Sequence, residues 1–83
     1  MPRNSSPAAA QIGSNIASAR KALSMTVDQL AVASRIDSSN IRSYEAGRAM
    51  MNVRSLVRIA EALKVDPGVL LDGVASEKFV TSG

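Results

Sequence analysis

The feature that most constrains this chain is the segment 26–47, TVDQLAVASRIDSSNIRSYEAG, which predicts two short helices joined by a tight corner. Thr26 and Gln29 have the spacing of a capping box, in which the side chain of each residue accepts the backbone N–H of the other. Asp37 is placed to cap the second helix, and Gly47 is placed to end it, because glycine readily adopts a left-handed conformation. We expect the rest of the chain to brace this pair of helices.

Each of the two predicted helices has one apolar face. In the helix that begins after Thr26, Leu30 and Ala31 belong to an inward stripe, and the small side chain of Ala31 permits a close helix crossing. In the helix that begins after Asp37, Ile41 and Tyr44 face inward, which leaves a short, polar and cationic outer face. A solvated surface helix has the same composition, so composition alone does not identify a binding face. The residues of this outer face are Ser38, Ser39, Arg42 and Ser43.

The flanking segments predict three further helices. Ser6, Asn52 and Asp66 are placed to cap a first, a fourth and a fifth helix. Proline follows both Ser6 and Asp66, at the first helical position, where its missing N–H costs nothing. The expected inward residues are Ala9, Ile12, Ile16, Ala19 and Leu23 in the first helix and Val53, Leu56, Val57, Ile59, Ala60 and Leu63 in the fourth.

Length and composition favour a single all-α domain. The 83 residues include 46% apolar but only 2% aromatic side chains, which suits small helices that pack closely, and no alternating β-branched run predicts a strand. We expect a flexible tail at 1–6, the helical domain at 7–74 and a C-terminal tail at 75–83. A chain of this size has no room for a separate sensor domain, so no small-molecule ligand is expected.

The residue types that are missing exclude several classes of function. The chain has no cysteine and no histidine, so a structural zinc site is not expected. Without histidine it also lacks the usual general base, and it has no glycine-rich phosphate loop, so we expect neither an enzyme nor a cofactor. The sequence has no secretory signal and no apolar run of membrane-spanning length, which predicts a cytoplasmic protein without membrane contact.

The charge of the chain is unevenly distributed. Between residues 35 and 58 five arginines stand against two acids, whereas from residue 61 onward four acids stand against two lysines. Arginine makes bidentate hydrogen bonds to phosphates and to guanine edges, so the basic part favours a nucleic-acid partner. The net charge of +3 is modest and is also compatible with a merely soluble surface.

One spacing pattern combines Leu30, Ala31, Ile36, Asp37, Ile41 and the ending Glu45-Ala46-Gly47. With this pattern, the segment 12–71 resembles the Cro/CI-type (XRE) family of helix-turn-helix repressors. The resemblance implies a five-helix, lambda-repressor-like DNA-binding domain with the helix-turn-helix motif at its second and third helices. Three positions depart from the family pattern: Val27 replaces a glutamine, Arg35 a frequent corner glycine and Met51 a frequent proline.

The resemblance also implies roles for individual polar residues. The third helix would enter the major groove of double-stranded DNA. Arg20 would pair with Glu45 at the end of that helix, and we expect this pair to orient more than to stabilise, because surface ion pairs contribute only ~0–1 kcal/mol. The expected base contacts are Ser38, Ser39, Arg42 and Ser43, and the expected phosphate contacts are Arg35, Asn40, Arg48, Asn52 and Arg54.

The number of base pairs that one such domain can contact is small, so the resemblance implies a homodimeric repressor on an inverted repeat. Leu70 is expected to close the core of each subunit. Two other interpretations stay open: an antitoxin-like subunit whose C-terminal apolar patch binds a different protein, and a non-specific nucleoid protein. The apolar residues expected at the dimer interface are Val69, Leu71, Val74, Phe79 and Val80.

Overall fold

The computed structural model describes residues 6–80, and this part of the chain is entirely helical and irregular, without strands. The all-α, five-helix prediction is therefore confirmed. The tail expected at 1–6, apart from Ser6, and residues 81–83 lie outside the described residues. The elements are α1 (Pro7–Ala22), α2 (Val27–Ser34), α3 (Ser38–Glu45), α4 (Val53–Leu63), α5 (Pro67–Leu70) and a 3₁₀ helix (Ser76–Phe79).

Side-chain caps start three of the helices as the sequence predicts. The capping box of α2 is complete, because Gln29 N–H donates to Thr26 Oγ1 at 3.0 Å and Thr26 N–H donates to Gln29 Oε1 at 2.8 Å. Ser6 Oγ accepts an N–H of α1, and Asn52 Oδ1 accepts an N–H of α4. The expectations for Asp37 and Asp66 are wrong in one respect: these residues occupy the N-cap positions of α3 and α5 but make no capping hydrogen bond.

The corner between α2 and α3 is formed by a residue other than glycine. Arg35 adopts the left-handed conformation, with φ 59° and ψ 38°, and its N–H donates to the last carbonyls of α2. Relative to glycine, this conformation costs an arginine on the order of 1 kcal/mol. Ile36 follows and is buried in the core, so the corner is fixed by an apolar contact as well as by its backbone bonds.

All five α-helices contribute to one hydrophobic core, which Leu70 of α5 helps to close. The inward stripes predicted for α1 and α4 are wrong at their ends: Leu23 is 47% exposed and Val53 is 75% exposed. Leu23 is the C-cap of α1 and Val53 the first residue of α4, and neither is covered by a neighbouring element. The largest fully buried side chains are Ile16, Leu30, Ile41, Ile59, Leu63 and Leu70.

A buried glycine brings α1 very close to the end of α3. A Cβ atom at Gly13 would lie 2.8 Å from the carbonyl oxygen of Glu45 and would overlap that of Tyr44. After α3, Gly47 has φ +74°, and a Cβ atom there would lie 2.9 Å from the Cα of Ala10. The backbones of the two helices therefore touch, and this contact sets how far α3 stands out from the domain.

The segment that follows α5 is folded back onto α1. The side-chain amide of Asn15 donates to the carbonyl oxygens of Leu70 at 3.0 Å and of Asp72 at 2.9 Å. The 3₁₀ helix also contacts α1, so part of the segment expected as a tail at 75–83 packs against the domain. None of the helices described here is long and apolar enough to cross a membrane.

Candidate nucleic-acid interface

The outer face of α3 is polar and stands opposite its buried side. Ile41 is fully buried and Tyr44 packs against the core, so positions on the opposite side of the helix face solvent. The structure places all four expected base contacts on this side, since they occupy i, i+1, i+4 and i+5. Ser39 and Arg42 are exposed, whereas Ser38 and Ser43 are half-buried.

The guanidinium of Arg42 makes a long hydrogen bond at each of its terminal nitrogens. Nη1 donates to Ser38 Oγ one turn earlier in α3, and Nη2 donates to Asp28 Oδ1 in α2, each at 3.4 Å. The side chain is nevertheless 58% exposed. A guanidinium has several further N–H donors, so Arg42 retains the capacity to form a bidentate pair with a ligand.

The first turn of α3 also carries a hydrogen bond between side chains. Ser39 Oγ donates to Asp37 Oδ2 at 3.1 Å. The hydroxyl oxygen of Ser39 keeps its acceptor capacity and faces solvent.

Four of the five expected phosphate contacts are exposed around α3 and the start of α4. Asn40 lies in α3, Arg48 follows it, and Arg54 is in the first turn of α4. The side chains of Arg48 and Arg54 form no hydrogen bond or ion pair with the other residues of the 6–80 range. Asn52 uses its Oδ1 to cap α4, which leaves its amide N–H groups as donors.

Arg35 lies apart from this group. It lines a cavity of about 210 Å³ together with Arg58 and Glu61, between the last turn of α2 and the second half of α4. The first turn of α2, in contrast, lies beside α3 through Asp28. Since α2 rises about 1.5 Å per residue, its two ends are ~10 Å apart. The basic segment 35–58 is therefore divided between two regions of the surface.

Arg20 and Glu45 form a bidentate ion pair between α1 and the end of α3. Arg20 Nε donates to Glu45 Oε2 at 2.7 Å and Nη2 donates to Oε1 at 3.0 Å, while Nη1 donates to the carbonyl oxygen of Met25 at 2.8 Å. The hydrogen bond to Glu45 raises the pKa of Arg20, although burial acts in the opposite direction.

This ion pair is not the solvent-exposed contact that the sequence suggests. The two side chains are only 13% and 12% exposed, so the small energy expected for a surface pair does not apply. Removal of one partner would leave a charge largely cut off from water. The pair joins α1, the connection to α2 and the C-terminal end of α3, and it fixes the direction of α3.

The described residues show no arrangement that would hold a metal ion. Carboxylates are the strongest ligands available, since the chain lacks histidine and cysteine, and within residues 6–80 no three of them converge. In the same range every buried side-chain nitrogen and oxygen has a hydrogen-bond partner.

The residues expected at a dimer interface lie in different surroundings. Leu71 and Phe79 line an apolar groove of about 210 Å³, and Val53 of α4 borders the same groove. Val69 instead borders a separate depression beside acidic residues, and Val74 packs against the hydrophobic core. The sequence did not indicate Val53, because its position fits the inward period of α4. The side chains of Leu71, Phe79, Val53 and Val80 are 38%, 49%, 75% and 70% exposed.

Solved structures of several regulators are similar to this one. C.AhdI, a restriction-modification controller protein from Aeromonas hydrophila, has 24% identity and a TM-score of 0.73, over 75% of this chain and 94% of that chain. The clp gene regulator ClgR from C. glutamicum has 25% identity and a TM-score of 0.72, over 76% and 82%. The P22 c2 repressor, solved in complex with the synthetic operator 9T, has 26% identity and a TM-score of 0.69, over 75% and 94%.

The family comparison covers most of the chain. A model described as a helix-turn-helix domain matches residues 13–76, which run from the middle of α1 to the start of the 3₁₀ helix and include α2 and α3. No curated protein matches the chain in sequence. The chain belongs to the helix-turn-helix domain family, as a Cro/CI-type (XRE) member with the lambda-repressor-like fold of DNA-binding regulators.

Proposed function

We propose that this protein is a homodimeric transcriptional repressor that binds an inverted repeat in double-stranded DNA, with α3 in the major groove. The observation that carries the proposal is the outer face of α3, where a largely exposed Arg42 stands among serine hydroxyls. The second helix of a helix-turn-helix contacts base edges with such a face. The similar P22 c2 repressor is solved with a synthetic operator.

Arg42 supplies most of the discrimination between bases in this proposal. A bidentate pair with O6 and N7 of guanine is worth ~1–3 kcal/mol against the wrong base. Ser38, Ser39 and Ser43 both donate and accept hydrogen bonds, so they discriminate weakly. Of the three serines, Ser39 is the exposed one and has the easiest access to a base edge.

Residues around α3 hold the phosphates and set the position of the protein on the duplex. Arg48, Asn40 and Arg54 are exposed, and Asn52 has amide donors left after it caps α4. Phosphate contacts add affinity on every sequence and carry no base information. Arg35 has less support as a phosphate contact, because it lines the cavity beside Arg58 and Glu61.

The apolar groove is the surface that supports a homodimer. Val53, Leu71 and Phe79 expose apolar side chains along it, next to the start of α4. A two-fold axis through this surface brings two copies side by side. Half-sites of an operator lie about 34 Å apart, which is compatible with a body of 35 × 23 × 20 Å.

An antitoxin-like subunit is the second candidate, because the same groove can accept a different protein. The two candidates differ in the state of the pure protein. The homodimer predicts a dimeric mass in solution, whereas the antitoxin-like subunit predicts a monomer with an uncovered apolar surface. Sedimentation equilibrium at micromolar concentration separates them.

Selection of bound fragments from random duplexes tests the function as a whole. We expect an enriched motif with two-fold symmetry, and a G·C pair at one symmetric pair of positions. Equal binding to unrelated duplexes, with a steep dependence on salt, would contradict the proposal and favour a non-specific binder. The recovered motif also reports the spacing of the half-sites.

A further inference from the structure

We infer that Asp28 is a specificity-determining positioning residue that directs the guanidinium of Arg42 toward a base rather than a phosphate. Asp28 is not among the residues expected to touch DNA. The inference rests on the proposed function, in which Arg42 contacts a base edge. It adds a residue of α2 to the determinants of sequence preference.

The contact between the two side chains joins the two helices of the motif. Asp28 Oδ1 accepts a hydrogen bond from Nη2 of Arg42 at 3.4 Å, across the space between α2 and α3. Ser38 Oγ accepts from Nη1 of the same guanidinium at 3.4 Å. The planar group is thus held on two sides, and the direction of its remaining donors is restricted.

An exposed carboxylate at this position is unexpected in a DNA-binding surface. The side chain of Asp28 is 77% exposed, and it adds negative charge where the phosphates of a duplex would approach. On any sequence this charge lowers affinity. The start of α2 does not depend on Asp28 for capping, because Thr26 and Gln29 already form the capping box.

The position of Arg42 explains what such a carboxylate contributes. An untethered arginine side chain has many rotamers, and near DNA it can pair with a phosphate as well as with a base edge. The phosphate contact carries no sequence information. A tethered arginine loses less conformational freedom when it pairs with guanine and is less able to reach a phosphate. Asp28 therefore lowers affinity for every duplex but raises the preference for the correct one.

The test compares variants on two duplexes of equal length, the one recovered by selection and an unrelated one. For Asp28→Asn we expect tighter binding to the unrelated duplex and a loss of about threefold to tenfold in the ratio of the two affinities, which is part of the discrimination available to Arg42. On the unrelated duplex, the slope of log K against log salt concentration should become more negative by about 0.9, because the released Arg42 contacts one more phosphate.

Two further variants separate the positioning role from simpler effects. Glu61→Gln makes the same change in charge beside Arg58, away from α3, and we expect it to leave the affinity ratio unchanged. Asp28→Glu keeps the carboxylate and should retain most of the ratio. This variant also keeps the test decisive if Asp28→Asn weakens α2, whose first turn is stabilised by an acid.

A double-mutant cycle shows whether Asp28 acts through Arg42. In an Arg42→Ala background, Asp28→Asn should no longer change the affinity ratio. The inference would be overturned, with the proposed function intact, if the single Asp28→Asn variant kept the affinity ratio of the wild type. An equal fall in that ratio with and without Arg42 would have the same meaning. A wild-type protein with no preference between the two duplexes would overturn the proposed function itself.

Discussion

Gly13 of α1 lies so close to the carbonyl oxygens of Tyr44 and Glu45 that a methyl group at this position would overlap them. The last turn of the proposed recognition helix therefore rests directly on the backbone of α1. The Arg20–Glu45 ion pair joins the same two helices through their side chains. Both contacts lie on the inner side of α3, and together they hold its outer face in a fixed direction.

Replacement of Gly13 tests the first of these contacts. We expect Gly13→Ala to lower the free energy of unfolding by about 3 kcal/mol, because the obstructing atoms are backbone and cannot turn away. For a chain of this size the melting temperature should fall by at least about 10 °C. Gly68→Ala is the matched control, since a Cβ atom there has no neighbour within 4 Å. A Gly13→Ala protein that melts like Gly68→Ala would contradict the close approach.

The two ion pairs of the motif should differ in their energies. Glu45→Ala should cost about 2–4 kcal/mol of stability, because it leaves the guanidinium of Arg20 largely buried without its partner. Asp28→Ala, which breaks the exposed pair with Arg42, should cost less than about 1 kcal/mol. Urea unfolding of both variants measures the difference. Equal effects of the two changes would show that burial does not strengthen the Arg20–Glu45 pair.

The left-handed corner predicts a stabilising change. Arg35→Gly should raise the stability by ~0.5–1 kcal/mol, because glycine adopts φ 59° without steric cost. Ala46→Gly should lower it by a similar amount, since Ala46 has the right-handed conformation with φ −80°. Thermal melts followed by circular dichroism compare the two. A lower melting temperature for Arg35→Gly would show instead that the guanidinium stabilises the fold through its cavity.

Val53 offers a way to disrupt the proposed dimer without damage to the fold. An aspartate at the first position of α4 is favourable for the helix dipole, but it would place a charge beside the apolar groove. We expect Val53→Asp to sediment as a monomer at concentrations where the wild type is a dimer. Val32→Asp is the control, because Val32 is 81% exposed in α2 and does not line the groove. Dimerisation that survives Val53→Asp would place the interface elsewhere.

Sequence reasoning works best where the signal is local. The Thr26–Gln29 capping box and the Asn52 cap depend on residues three apart, and both occur as expected. It fails where a helical period runs to the end of an element: Leu23 and Val53 fit the inward stripes, yet no neighbouring helix covers them. Periodicity gives the direction of a side chain, but it carries no information on whether another element is present there.

Sequence reasoning predicted contacts between distant residues only in part. Glu45 and Arg20 were paired through the resemblance to a family, but the depth of their burial depends on the whole packed structure. Gly13 has no local signature, because its role depends on a helix about 30 residues further along the chain. The contact of Asp28 with Arg42 was missed for the same reason, since it requires the angle between α2 and α3.

Methylation interference on the recovered duplex tests the central claim most directly, because it reports contacts to guanine N7 in the major groove. For the wild type we expect methylation of one symmetric pair of guanines to block binding. Arg48→Ala should keep this pattern at lower affinity, whereas Arg42→Ala should become indifferent to methylation at that pair. The same interference in wild type and Arg42→Ala, or none in the wild type, would contradict base recognition by α3 through Arg42.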